Sequence, residues 1–132
     1  MIDPSLALQR AIVSILNADA DVKALIELRV FDDVPPGVSC PYVSFGPSQN
    51  TTDDADCITG FEVFQQIDVW SRELGFDECK TINHAVRKAL HLTTITQDGL
   101  TFEIEHQFTN TNRDPDGLTS HGVLSFRAQI DT

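Results

Sequence analysis

The chain has 132 residues, of which 41% are hydrophobic and 22% are charged, a composition typical of a folded globular protein. Twenty acidic side chains against nine basic ones give a net charge of −11 at pH 7, so the surface repels phosphate and anionic lipid. This balance excludes a DNA clamp built on a basic footprint, and the length suits one hydrophobic core. We therefore expect a single domain over residues 1–132.

The beginning of the chain is predicted to form two helices. Asp3 followed by Pro4 is a typical helix start, because an N-cap carboxylate accepts backbone N–H groups and proline is tolerated at the first helical position. Apolar residues then recur at helical spacing: Leu8, Ile12, Ile15 and Leu16. A second, short helix is expected to be capped by Asp19 or Asp21.

Short strands and loops are predicted next. Residues 30–31 form a possible short strand, and residues 34–37 form a loop because two prolines remove backbone donors there. Residues 42–45 are predicted as a strand between two prolines, which suits a sheet edge or a strand end. Residues 50–56, with Asp53, Asp54 and Asp56 among small polar side chains, are expected to be an exposed acidic loop.

Three longer segments alternate between apolar and polar residues, as strands with one buried face do. They span residues 61–70, 102–108 and 122–130. Their apolar faces are Phe61, Val63, Ile67 and Val69; Phe102, Ile104, His106 and Phe108; and Leu124, Phe126, Ala128 and Ile130.

A helix lies between the first two of these strands, with Asp77 expected as its N-cap. Its apolar stripe is Ile82, Ala85, Val86, Ala89 and Leu90. Turn residues occupy 97–99 and 114–117. The order of elements predicts an α+β fold: an antiparallel sheet of about four strands with two to three helices packed on one face.

No motif in the sequence indicates catalysis or a cofactor. The glycines form no phosphate-binding loop, no serine lies in a nucleophile elbow, and no two histidines have the i, i+4 spacing of a helical zinc site. His106 is expected to be a hydrogen-bonded core histidine. The three cysteines, Cys40, Cys57 and Cys79, include no C-x-x-C pair and are expected to be structural thiols in a reducing compartment. No enzyme, metal or cofactor is predicted.

Membrane association and secretion are also not expected. The chain opens without the basic-then-apolar pattern of a secretion signal, and no apolar run approaches the roughly 20 residues that span a bilayer.

Six segments, taken in order, resemble a known family. They are residues 3–9, 29–35, 40–46, 68–72, 86–91 and 113–127. The last contains the pattern D-P-D-G-x-T-x-H-G-x-L-x-F-R. Together they resemble the tail-completion or tail-terminator proteins of long-tailed bacteriophages, prophages and gene transfer agents, over nearly the whole chain.

The resemblance implies a structural virion protein of the head–tail neck, assembled in the cytoplasm of the bacterial host. Such proteins form a six-fold ring on the last ring of the tail tube protein. The ring stops polymerisation of the tube and joins the tail to the head-completion (stopper) protein. DNA would pass through the channel without specific binding, because an acidic lining repels it.

Residues that contact partners can only be inferred from their position. The candidates for an interface are Arg113, Asp114, Asp116, His121, Trp70 and Arg72. For the turn residues, the alternative is a purely local role in capping a hairpin turn. A closed ring needs two different contact patches on each subunit, and an exposed edge strand or the loop at residues 35–37 is a candidate for one of them.

Three other functions remain open from the sequence. The first is a different neck component, such as the stopper or a head–tail adaptor. The second is a small acidic ligand-binding or dimerising module, and the third is an enzyme that uses His121 with Asp114 or Asp116.

Overall fold

The computed structural model describes residues 2–55 and 58–131, without the side chains of residues 52–55, 58, 59 and 131. Asp56 and Cys57 therefore lie outside the described residues. The elements in chain order are α1 (Pro4–Ala18), α2 (Ala20–Ile26), β1 (Val30–Phe31), β2 (Tyr42–Ala55), β3 (Ile58–Ser71), α3 (Asp77–Leu90), β4 (Thr93–Gln97), β5 (Leu100–Arg113) and β6 (Ser120–Asp131).

The strands form one six-stranded sheet in the order β1-β2-β3-β6-β5-β4. β1 runs parallel to β2 and every other pair is antiparallel, so the sheet is mixed. The α+β class and the three helices are confirmed, whereas the prediction of about four antiparallel strands is wrong. The possible short strand at residues 30–31 is confirmed as β1, an edge strand of two residues that runs parallel to β2. The strand that was not predicted is β4, an edge strand of five residues and too short for a clear alternating pattern.

The sequence signals at the helix starts are partly confirmed. Asp3 Oδ1 accepts the backbone N–H groups of Ser5 (2.8 Å) and Leu6 (3.3 Å), and Asp19, rather than Asp21, caps α2. Asp77 was expected to cap α3 but is its first helical residue, and no side chain caps this helix. Its carboxylate nevertheless lies in the first turn, where it complements the helix dipole.

The core lies between one face of the sheet and the helices α1, α2 and α3. The alternation predicted for β3 and β6 is confirmed, since their apolar residues are buried on this face. The largest buried side chains are Phe102, Phe126, Leu8, Ile12, Leu16, Ile26, Ile67, Ile82, Leu90, Ile104, Leu124 and Ile130. We call the face of the sheet opposite the helices the open face.

Two local predictions fail in β2 and β5. Residues 50–55 continue β2 instead of forming a loop, paired from Asn50 opposite Val63 to the hairpin end. A polar strand forms there because backbone hydrogen bonds to β3 do not require apolar side chains. In β5 an extra residue at position 107 breaks the alternation, so Phe108 lies on the open face and is 49% exposed.

Candidate functional site

The six interface candidates all lie at one end of the sheet. Trp70 and Arg72 are at the end of β3, Arg113 ends β5, and His121 lies at the start of β6. Asp114 and Asp116 occupy the turn between β5 and β6, where the Asp114 N–H bonds to the Thr119 carbonyl at 2.8 Å. The sheet register places Trp70 directly opposite His121. We call this region the β-turn end.

Trp70 and His121 form the most ordered part of the β-turn end. Their rings stack at 3.9 Å between centroids with an interplanar angle of 10°. His121 Nε2 lies 2.8 Å from Asp68 Oδ1, and Trp70 Nε1 donates to Ser44 Oγ at 2.9 Å. Because Asp68 and Ser44 are buried, these bonds fix both rings in position.

The stack continues as a row of aromatic rings across the sheet. Tyr42 on β2 lies 6.4 Å from Trp70, and Phe31 on β1 contacts Tyr42 edge to face at 6.0 Å. Four strands therefore contribute one ring each. Such a rigid row, half exposed to solvent, provides large contact area at low entropic cost to a partner.

A cleft of about 570 Å³ opens beside this row. It lies between residues 38–40 and the β5–β6 turn, and its lining includes Tyr42, Trp70, Arg72 and Asp114. Arg72 is exposed and forms no ion pair with any described residue. Burial raises the pKa of the Cys40 thiol in the wall, which favours its protonated form.

Asp116 uses its carboxylate to hold the turn. Oδ1 accepts the N–H groups of Leu118 (2.8 Å) and Thr119 (2.9 Å), and Oδ2 accepts the Thr119 hydroxyl at 2.8 Å. These bonds lower the pKa of Asp116, the Leu118 N–H most strongly. This geometry supports the local capping role that the sequence left open for Asp116.

Two leucines on the outer surface of the β-turn end are unusually exposed. Leu74 is 96% exposed and Leu118 is 71% exposed. Together with Arg72 and Arg113 they line a shallow depression of about 310 Å³. The Arg113 guanidinium also lies 4.7 Å from the ring centre of Phe76, which fixes its position. Exposed leucines beside arginines are typical of protein contact surfaces.

The sequence predicted the candidates but missed the residues that position them. Tyr42, Ser44 and Asp68 were not named as candidates, because only the pairing of β2, β3 and β6 shows that their side chains contact Trp70 and His121. The exposed Leu74 and Leu118 lie in loops, where no periodic pattern marks them. The alternation along β2 and β3 gave a weak signal for an exposed aromatic row, because Tyr42 and Trp70 each lie on the face of their strand that carries polar residues.

The structure pairs His121 with a different carboxylate from those in the enzyme hypothesis. His121 is bonded to Asp68, whereas Asp116 is bonded to its own turn.

Within residues 2–55 and 58–131, no group of three His, Cys, Asp or Glu side chains is placed to hold a metal ion. No helix in the same residues is long and apolar enough to cross a membrane.

His106 lies away from the β-turn end, at the edge of β5. Its Nδ1 accepts a bond from Arg87 Nε at 3.3 Å, its Nε2 is 2.6 Å from Thr109 Oγ1, and its backbone N–H donates to His91 Nδ1 at 2.9 Å. The predicted hydrogen-bonded histidine is confirmed, although it is half-buried rather than in the core. Cys79 is buried and free, and Cys40 is free and half-buried.

The family profile of the tail completion protein gp17 matches residues 10–131, so the chain belongs to that family of phage tail structural proteins. The resemblance found in the sequence is thereby confirmed.

Solved structures agree with this assignment. A chain of the virion of a native gene transfer agent particle is 27% identical, covers 100% of both chains and superposes with a TM-score of 0.91. The gp17 protein of bacteriophage SPP1 is 24% identical, covers 97% of this chain and 91% of its own, and has a TM-score of 0.66, which shows a shared fold. No curated protein matches the chain.

Proposed function

We propose that the protein is a tail terminator of the virion neck: six copies form a ring that caps the tail tube, stops its polymerisation and joins the head-completion protein. The observation that carries the proposal is the superposition, over the full length of both chains, on a component of a gene transfer agent virion. The family match over residues 10–131 supports the same role. The protein would act in the virion as one non-enzymatic domain.

The β-turn end is the proposed contact with the neighbouring ring of the neck or tail. It combines the fixed Trp70–His121 stack, the unpaired Arg72 and the exposed leucines Leu74 and Leu118. Arginine and aromatic side chains are enriched in binding hot spots, and exposed leucines add apolar area around them. Arg113 and Asp114 would border this contact, and Asp116 would support it by holding the turn.

The open face of the sheet is the proposed channel wall. Glu62, Glu103 and Glu105 lie there, and Arg127 bonds to two of them, Glu62 and Glu105. The surplus of negative charge would repel the DNA backbone and let it slide through. A ring reconstruction in which a basic surface faced the channel would refute this assignment.

Deletion of the gene in its particle-producing host tests the proposal. We expect electron micrographs to show overlong or ragged tubes and unattached, DNA-filled heads, because nothing would stop or join the tubes. A plasmid copy of the wild-type gene should restore particles with tails of normal length. Tails of normal length that lack heads would instead indicate a connector downstream of termination, and normal particles would exclude a neck function.

A further inference from the structure

Two long strands have edges that are only half covered. β1 pairs with β2 only at Val43 and Ser44, and β4 pairs with β5 only as far as Ile104. The remainder of β2, from Ser48 onward, and of β5, to Arg113, is paired on one side only among the described residues. Uncovered strand edges are templates for pairing with another chain.

The β5 edge is uncovered at identifiable backbone groups. The Ile104 carbonyl accepts the Leu92 N–H at 2.8 Å, and His91 Nδ1 takes the His106 N–H, so the edge is covered up to there. After the bulge the Asp114 N–H points to β6, where it bonds to Thr119. Because backbone groups alternate along a strand, those of Thr109 and Thr111 point away from β6, toward the uncovered edge.

A basic groove of about 500 Å³ runs between this edge and α3. Its lining includes Lys80, His84 and Arg87 from the helix and Thr109 and Thr111 from the strand. The chain as a whole carries −11, so this is a concentration of positive charge on an acidic protein. We call it the α3 groove, and its charge favours an acidic occupant.

An acidic side chain lies beside the uncovered part of β2. Asp3 at the start of α1 is near Asn50, whose side chain adds to the hydrogen bonds from Ser5 and Leu6 that lower the pKa of Asp3. The Val43 N–H bonds to the Arg29 carbonyl at 2.9 Å, so the backbone groups of Val43 point outward, away from β3. Outward and inward groups alternate along the strand, and the bulge before Ser48 shifts this alternation by one residue, so the backbone groups of Ser48 and Asn50 also point outward. The two uncovered edges therefore lie beside side chains of opposite charge, Asp3 beside β2 and Lys80 and Arg87 beside β5.

We propose that β2 of a second copy adds to the uncovered edge of β5, residues 107–113, as an antiparallel strand alongside the α3 groove. The sheet order makes β2 and β5 antiparallel within one subunit, so a rotated neighbour presents β2 in the correct direction. Rotation also keeps the helices of both copies on one side, which brings Asp3 of the second copy toward the α3 groove. This contact joins two different patches, as ring closure requires.

The inference rests on the proposed ring and specifies its subunit interface. The uncovered halves of β2 and β5 lie toward opposite ends of the sheet, so neighbouring sheets must be offset along the strands. A ring absorbs such an offset when its strands are tilted to the ring axis, as in closed barrels. We therefore expect a continuous, tilted sheet around the channel.

Cysteine cross-linking in assembled particles tests the contact. The exposed residues Gln49 on β2 and Asn110 on β5 both lie on the open face. A variant with Gln49→Cys and Asn110→Cys, oxidised in the particle, should give covalent dimers and higher multimers on a non-reducing gel, because Cβ atoms of adjoining strands come within about 5.5 Å. A register scan that replaces Gln49→Cys by Thr51→Cys, or Asn110→Cys by Asn112→Cys, covers pairings shifted by two residues on the same face.

The matched control is Asn110→Cys with Ser14→Cys, because Ser14 is exposed on α1, away from the strand edges. It should remain monomeric on the same gel. If no member of the scan cross-links in particles with normal tails, the edge pairing is wrong while the ring function stands. If the protein is absent from purified particles, the proposed function itself fails.

Charge reversal gives an independent test. Lys80→Glu with His84→Glu should lower the yield of complete particles at least about tenfold, because like charges would then oppose each other across the interface. Lys88→Glu, an exposed reversal on α3 outside the groove, is the control. Unchanged yield of a folded Lys80/His84 variant, or an equal loss of yield with Lys88→Glu, would contradict the proposal.

Discussion

His106 is held by neighbours from three elements, and these neighbours set its protonation. Arg87 can only donate a hydrogen bond, so Nδ1 of His106 is the acceptor and Nε2 carries the proton that bonds to Thr109. Burial, followed by the positive charges of Arg87 and His91, lowers the pKa of His106 below its ordinary value of 6.5. The folded state therefore favours the neutral ring.

This lowered pKa predicts a loss of stability in mild acid. Below about pH 6.5 the unfolded chain takes up a proton on His106 before the folded chain does, so the free energy of unfolding falls as the pH falls through the folded pKa. Above pH 6.5 the contribution is fully present. Urea unfolding at a series of pH values measures the slope.

The variant His106→Gln should reduce this slope. His84→Gln, a change of an exposed histidine on α3, should leave it intact. An identical slope in wild type and His106→Gln would show that other groups cause the acid sensitivity.

Gly122 on β6 occupies a position where no side chain fits. A Cβ atom there would overlap the buried Asn83 side chain on α3, whose Nδ2 donates to Thr111 Oγ1 at 3.1 Å. We expect Gly122→Ala to lower the free energy of unfolding by about 1–3 kcal/mol, the usual effect of overpacking. Thermal or urea unfolding of the purified variant measures this.

The double variant Gly122→Ala with Asn83→Ala tests the cause. Removing the Asn83 amide relieves the overlap, so the two effects should be less than additive. Strict additivity would show that contact with Asn83 is not the source of the destabilisation.

Whether a strand could be predicted from the sequence depends on its position in the sheet. β3 and β6 lie in the middle of the sheet with one face on the core, so apolar and polar residues alternate along them and the sequence predicts both strands. β1 and β4 are short edge strands, and the outer half of β2 is polar, so none of these carries an alternating pattern. In β5 the bulge reverses the alternation after His106, which no local signal announced.

The candidate site shows the same division. Trp70, Arg72, Arg113 and His121 were named because the sequence resembled a family, and folding does bring them to one end of the sheet. Asp68 lies 53 positions before His121 in the chain, and only the pairing of β3 with β6 brings the two side chains together. Contacts of this kind depend on strand register, which the sequence alone did not specify.

The loop after β3 and the β5–β6 turn form the exposed apolar part of the β-turn end. We expect Leu74→Ser with Leu118→Ser to leave stability unchanged, because both side chains are already in solvent, and to abolish the joining of heads to tails. Complementation of the gene deletion followed by electron microscopy measures the fraction of joined particles.

The control is Leu28→Ser, an equally conservative change of a 60% exposed leucine outside this surface. Full joining with the double variant would remove this surface from the interface.

The whole molecule separates its surfaces by charge and by role. The open face carries acidic side chains, the α3 groove carries basic ones, and the β-turn end carries aromatic and aliphatic ones. A ring built through the uncovered strand edges would place these surfaces toward the channel, the neighbouring subunits and the adjoining neck or tail ring, respectively. This arrangement would suit the proposed role of capping the tail tube and letting DNA pass.

The most direct test of this account is a cryo-electron microscopy reconstruction of the neck of the native particle. We predict six copies of this chain in one ring on the last ring of the tail tube, with the acidic open face toward the channel and β2 of each copy beside β5 of the next. Density for the chain elsewhere in the particle, or a tail tube that meets the head without it, would contradict tail termination.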